Sequence, residues 1–128
     1  MVFSKATGEF CHADVVEHMA RIARHPDFRP EFHQLMDGRD IARVDLSGDE
    51  VQDLASRTIF SAHSKRAIVV ANDHDFGIAR MFGTYREIRG KEDIRSFKNM
   101  PDALAWLGLS AEPDPKLFPL LNPPAKKD

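Results

Sequence analysis

Cysteine is nearly missing from this chain. A single residue, Cys11, excludes an internal disulfide framework, and a lone thiol with no catalytic context around it reads as a small apolar side chain. Long hydrophobic runs are missing too. No stretch approaches the roughly 18 apolar residues that a membrane span requires, and the opening MVFSKATGEF lacks the apolar core of a signal peptide. The expectation is a cytoplasmic protein without membrane insertion. Charge of one sign is not in excess: 18 Lys and Arg stand against 20 Asp and Glu, a formal net charge of -2. Without a strong positive field, nucleic acid is not an expected partner.

Signatures of catalysis are equally scarce. There is no G-x-G-x-x-G, no phosphate loop and no G-x-S-x-G elbow. The histidines, His12, His18, His25, His33, His63 and His74, include no pair at the four-residue spacing of a helical zinc clip. Asp73, His74 and Asp75 are adjacent in sequence, and neighbouring side chains cannot all point at one ion without ligands from elsewhere. No metal or cofactor is expected. A phospho-receiver domain needs acidic residues after its first strand, and the first strand here ends in ATGEF.

What is present is enough for one core. With 128 residues, 42% of them hydrophobic, the chain has the size of a single domain. Strand-length apolar runs alternate with helical periods. VFSKA (2 to 6) predicts a strand, and Val15, Val16, Met19, Ile22 and Ala23 predict a helix over 13 to 25 that HPDFRP stops. FHQLM (32 to 36) is a second strand, followed by a polar loop. Ser47 with Glu50 then forms a capping box that opens a helix over about 48 to 63, carrying Val51, Leu54, Ala55, Thr58, Ile59 and Ala62 inward.

AIVVA (67 to 71) is apolar and β-branched, as a central strand buried on both faces should be. The next helix is expected over about 75 to 89, with Ile78, Ala79, Phe82 and Tyr85 inward, Asp75 meeting its first turn and Gly90 as its stop. IRSF (94 to 97) is the last strand. Asn99 caps a short helix with Pro101 in its first turn and Ala103, Leu104 and Leu107 inward. The order βαβαβαβα predicts an α/β domain over 1 to 110 with a mainly parallel four-stranded sheet and about four helices. Residues 111 to 128 hold five of the eight prolines and read as an extended tail, whose LFPLL segment could dock on the domain.

The segments HPDFRP, LMDGRD, DFGIARMF and DALAWL, in that order, resemble the small bacterial STAS-like proteins of SpoIIAA-like fold, over roughly residues 2 to 108. The resemblance implies a SpoIIAA-like single domain. It also implies a non-enzymatic interaction or regulatory module in the bacterial cytoplasm, one that binds an unidentified protein partner. Better-known members bind a kinase and are switched at a serine in an Asp-Ser-Ser-Gly motif. Here the corresponding strand end reads Asp37-Gly38-Arg39-Asp40, without the serine. Asp45-Leu46-Ser47-Gly48 keeps a serine and a glycine in register, so Ser47 is a possible phospho-acceptor, although its capping role already accounts for it. STAS domains usually begin with two strands. This chain has room for one, which leaves a sheet edge suited to a homodimer.

The partner-binding surface is expected at the carboxyl ends of the strands, in loops 37 to 47 and 72 to 75, where crossovers of a parallel sheet gather. Its candidates are Asp37, Arg39, Asp40, Arg43, Asp73 and His74. Two other readings compete. Phe10, Phe28, Phe32, Phe76, Phe82 and Phe97 could line an apolar pocket for a small molecule or lipid, and an enzyme could place its site at the same strand ends.

Overall fold

The structure, a computed structural model, describes residues 1 to 90 and 92 to 112. Most of the tail, LFPLL included, lies outside the described residues. The elements are β1 (Val2–Cys11), α1 (His12–Arg24), β2 (Gln34–Asp45), α2 (Gly48–Ala55), β3 (Lys65–Val70), α3 (Asp73–Arg89), β4 (Asp93–Phe97) and α4 (Met100–Leu107). The strands form one sheet in the order β1-β2-β3-β4, and every pairing is parallel. This is the α/β architecture with four strands and four helices that the alternation of apolar periods predicts.

Strand side chains alternate between the two faces, and the register shows what each face holds. Phe3, Leu35 and Ala67 stand side by side, and with Val69 they pack under Met100 and Ala103 of α4. That core is apolar, and at its carboxyl edge the next row on the same face sets the buried Asp37 between Lys5 and Val69. The other face belongs to α1, α2 and α3, and its rows are mixed: Val2 beside Gln34 beside Arg66, then Ser4 beside Met36 beside Ile68. A small core of Val2, Ile22 and Phe60 closes its amino end, with Phe60 edge-on to Phe28 at 5.7 Å.

Four expectations are corrected. Both early strands are longer than 2 to 6 and 32 to 36: β1 runs to Cys11, and β2 starts at Gln34 and continues to Asp45. Residues 37 to 45, expected as a loop, are therefore strand. Beyond Gly38, which pairs with Val70, only β1 and β2 continue together, with irregular register after Lys5 and after Gly8. Gly8 has φ +67°, a conformation that side chains rarely adopt.

The second correction is that α2 ends at Ala55 and not near residue 63. The Ser56 hydroxyl donates to the Asp53 carbonyl at 2.5 Å, and the Phe60 amide donates to the Thr58 hydroxyl at 3.1 Å, so local side chains capture the backbone. The turn delivers Phe60 to the small core and leaves Thr58 and Ala62 exposed. Third, α3 begins at Asp73, because Asn72 is its cap and accepts from the Asp75 amide at 2.8 Å. Fourth, β3 runs Lys65–Val70 and not 67 to 71; it is central and buried at Arg66, Ala67, Val69 and Val70, and Ile68 keeps exposed surface.

Candidate functional site

Ile68 opens onto a cleft of about 120 Å³ between the sheet and the helical layer. Met36 and Ile68 are register partners on the two central strands and form its floor with Val70. Val15 and Met19 of α1, Val51 and Leu54 of α2, and Ile78, Ala79 and Phe82 of α3 make the walls. The protruding ends of β1 and β2 supply a lip of Phe10, Ile41 and Val44. Gly38 makes room for that lip. A Cβ there would stand 3.0 Å from Ile41 Cδ1 and 3.1 Å from the Val69 carbonyl oxygen, so any larger residue would crowd Ile41 where it leans over the sheet.

Of the six aromatic residues expected around a pocket, Phe10 and Phe82 line this one. Phe28 and Phe32 pack at the small core, and Phe97 packs beneath α4. Phe76 lies under the Lys98 ammonium, 5.2 Å from the ring centre. The cleft is smaller than the roughly 300 Å³ where ordinary ligand pockets begin, and comparable to the about 150 Å³ that holds benzene in an apolar cavity.

A buried polar chain runs across the amino end of the same face. The Gln34 amide donates to Ser4 Oγ at 3.1 Å, and His18 Nε2 lies 2.7 Å from the same hydroxyl. Arg66 Nε donates to Gln34 Oε1 at 3.0 Å, while its guanidinium stacks over Phe60 at 4.5 Å. Glu92, just before β4, accepts from Arg86 Nη2 at 2.5 Å and from Thr58 Oγ1 at 2.7 Å, with Arg66 Nη1 3.6 Å away. Arg86 also donates to the Ala55 carbonyl at 2.6 Å, which ties α3 to the end of α2.

Burial disfavours the ionised Glu92 carboxyl, but the hydrogen bonds from Arg86 and Thr58 outweigh it and hold its pKa below the ordinary value. Burial lowers Arg66 to about 10, still protonated at neutral pH. His18 is lowered to about 4 by burial and by the nearby Arg21 charge, so it is neutral at pH 7. Sequence reading missed Arg66, Arg86 and Glu92 entirely. The two arginines carry one signal, charge within otherwise apolar periods, at Arg66 before AIVVA and Arg86 one residue after Tyr85, and Glu92 carries none.

The residues expected to form a partner surface are placed in small separate groups. The Asp37 carboxylate is buried and takes two side-chain bonds from Arg39, at 2.9 and 2.8 Å, and Arg39 also reaches Glu112 at 3.0 Å. Burial pushes the Asp37 carboxyl up, but Arg39 more than reverses this. Asp40 pairs with Lys5 at 3.3 Å. Arg43 is exposed on the strand extension opposite Glu9. Asp73 pairs with Lys98, and His74 is exposed, with Nδ1 3.1 Å from the buried Asp75 carboxylate. Ser47 is exposed and caps α2, accepting from the Glu50 amide at 3.1 Å while the Ser47 amide donates to the Glu50 side chain at 2.9 Å. Among the described residues, no three metal-binding side chains converge, and no helix is long and apolar enough to cross a membrane.

No family model matches the chain, and no curated protein does. The chain is similar to a solved structure, that of an uncharacterised protein of the DUF3478 family with a SpoIIAA-like fold from Shewanella loihica PV-4. It is 20% identical, the likeness covers 80% of each chain, and the TM-score is 0.50. The chain has the SpoIIAA-like fold. At that identity the likeness is one of fold alone, and function has to be argued from the site.

Proposed function

We propose that this SpoIIAA-like domain is a non-enzymatic binding module of the bacterial cytoplasm, and that its cleft seats a small apolar molecule. One observation carries the reading. The middle of the helix-covered face, where a core is normally filled, is open over Met36 and Ile68. The nearby polar groups argue for binding without chemistry. Arg66 and Gln34 bond each other, His18 Nε2 meets Ser4, and Asp75 is held by Asn72 and His74, so these side chains spend their bonds on the protein.

Ala79→Leu tests the open cleft through the sign of its effect. Ala79 lines the cleft from a helix that accepts leucine readily. Filling an unfilled site stabilises by about 1 kcal/mol, whereas the same change in a close-packed core costs about 1–3 kcal/mol. Stabilisation with unchanged oligomeric state is expected. Destabilisation would show that the face is already packed and would end the reading.

A second reading, protein recognition at the strand carboxyl ends, is favoured by the exposure of Asp40, Arg43, Asp73 and His74. Pairing of two copies through the β1 edge belongs with it. Arg39 is a poor probe because it holds the buried Asp37. Asp40→Lys with Arg43→Glu is the cleaner variant. A partner captured by the wild type should lose at least tenfold in affinity, and unchanged affinity would remove this surface.

A further inference from the structure

Resting on the cleft reading above, we propose that the occupant is an uncharged molecule built on a single aromatic ring. Three observations combine. The first is size: about 120 Å³ accommodates one ring and little more.

The second is how the polar groups around the cleft are used. Four of its lining residues, His18, Gln34, Arg66 and Asp75, could have met a charged group. Most of their polar atoms are turned to the protein. Gln34 bonds Ser4 and Arg66, and Asp75 bonds Asn72 and His74. His18 Nε2 meets Ser4, while His18 Nδ1 and Arg66 Nη1, which lack hydrogen-bond partners, are themselves covered by other atoms. The surface left facing the cleft is almost wholly carbon. A carboxylate or ammonium entering it would shed water against a surface that is almost all carbon, a cost that an uncharged ring does not carry.

The third is the kind of carbon and sulfur on the walls. Met19 and Met36 face the same space as Phe10 and Phe82. Thioether sulfur packs favourably at ring edges, and aromatic pairs gain beyond their area when offset or edge-to-face. A flexible alkyl chain would collect neither contact.

The test is calorimetry of the full chain with matched probes: benzyl alcohol and toluene as uncharged rings, benzoate and benzylammonium as charged ones of similar size, and 1-pentanol as the aliphatic control. Both uncharged rings should bind at one saturable site at least tenfold more tightly than the charged pair and 1-pentanol, and Ala79→Leu should abolish the binding. Benzoate or benzylammonium binding as well as benzyl alcohol, blocked by Ala79→Leu, would overturn the uncharged assignment and leave the cleft reading standing. 1-Pentanol matching benzyl alcohol would overturn the ring. If no probe binds and Ala79→Leu is stabilising, the occupant assigned here is wrong while the open cleft is upheld. If no probe binds and Ala79→Leu is destabilising, both readings fail.

Discussion

Arg86 Nη2 lies 2.5 Å from Glu92 Oε2 with both side chains buried, and the same carboxylate faces a second buried guanidinium, Arg66. One anion therefore balances two cations inside the protein. Removing it leaves both uncompensated, and breaking a buried pair typically costs about 3–5 kcal/mol. Glu92→Gln keeps the shape and deletes the charge, so denaturant unfolding should report a loss in that range. A loss under about 1 kcal/mol would mean that water reaches the cluster and screens it.

Stability should fall on mild acidification because of His18. Its folded pKa is lowered to about 4 from an ordinary 6.5, so within that window the unfolded chain takes up a proton that the folded chain refuses. The stabilisation is full above pH 6.5 and declines as pH drops toward 4. Asp37 and Glu92, both held below their ordinary values, add a further loss as pH falls through those lower values. Thermal unfolding of wild type and His18→Gln between pH 6.5 and 5 separates the two effects, because the carboxylates contribute little there. The variant should show the flatter profile. An equal slope would mean that His18 titrates as it does in the unfolded chain.

Ser47→Ala should cost about 1 kcal/mol, the usual worth of an N-cap. The capping box at Ser47 and Glu50 is formed in both directions, which gives the hydroxyl a structural task independent of any modification. Equilibrium unfolding checks the value. Phosphate found on Ser47 in protein purified from its source would give the residue a second role.

Local signals in the chain are read correctly where a few adjacent residues decide the outcome. The Ser47–Glu50 box, Asn99 capping the Pro101 helix, and the Ile78–Ala79–Phe82 period each appear where their chemistry places them. Element order then yields the parallel sheet. Contacts between distant residues were not legible. The extension of β2 through DGRDIARVD carries glycine, alternating charges and no period of two, and it is strand because β1 runs beside it. The end of α2 was hidden by Ile59 and Ala62, which continue a helical spacing, while Ser56 and Thr58 redirect the backbone. Glu92 looked like loop, since nothing local reveals that Arg66 and Arg86 converge on it. The cleft was the least visible, because it is a gap between Met36 and Ile68, 32 positions apart and adjacent only through strand register.

An apolar guest seated in the space over Ile68 alters the surroundings of the isoleucine methyls that line it. Methyl-resolved NMR of isoleucine-labelled protein during a benzyl alcohol titration reads this residue by residue. The methyls of Ile41, Ile68 and Ile78, all on the cleft, should shift together along one saturable curve, while buried Ile22 and exposed Ile88 stay in place. Shifts confined to Ile88, or no saturable shift at Ile68, would contradict binding in the cleft.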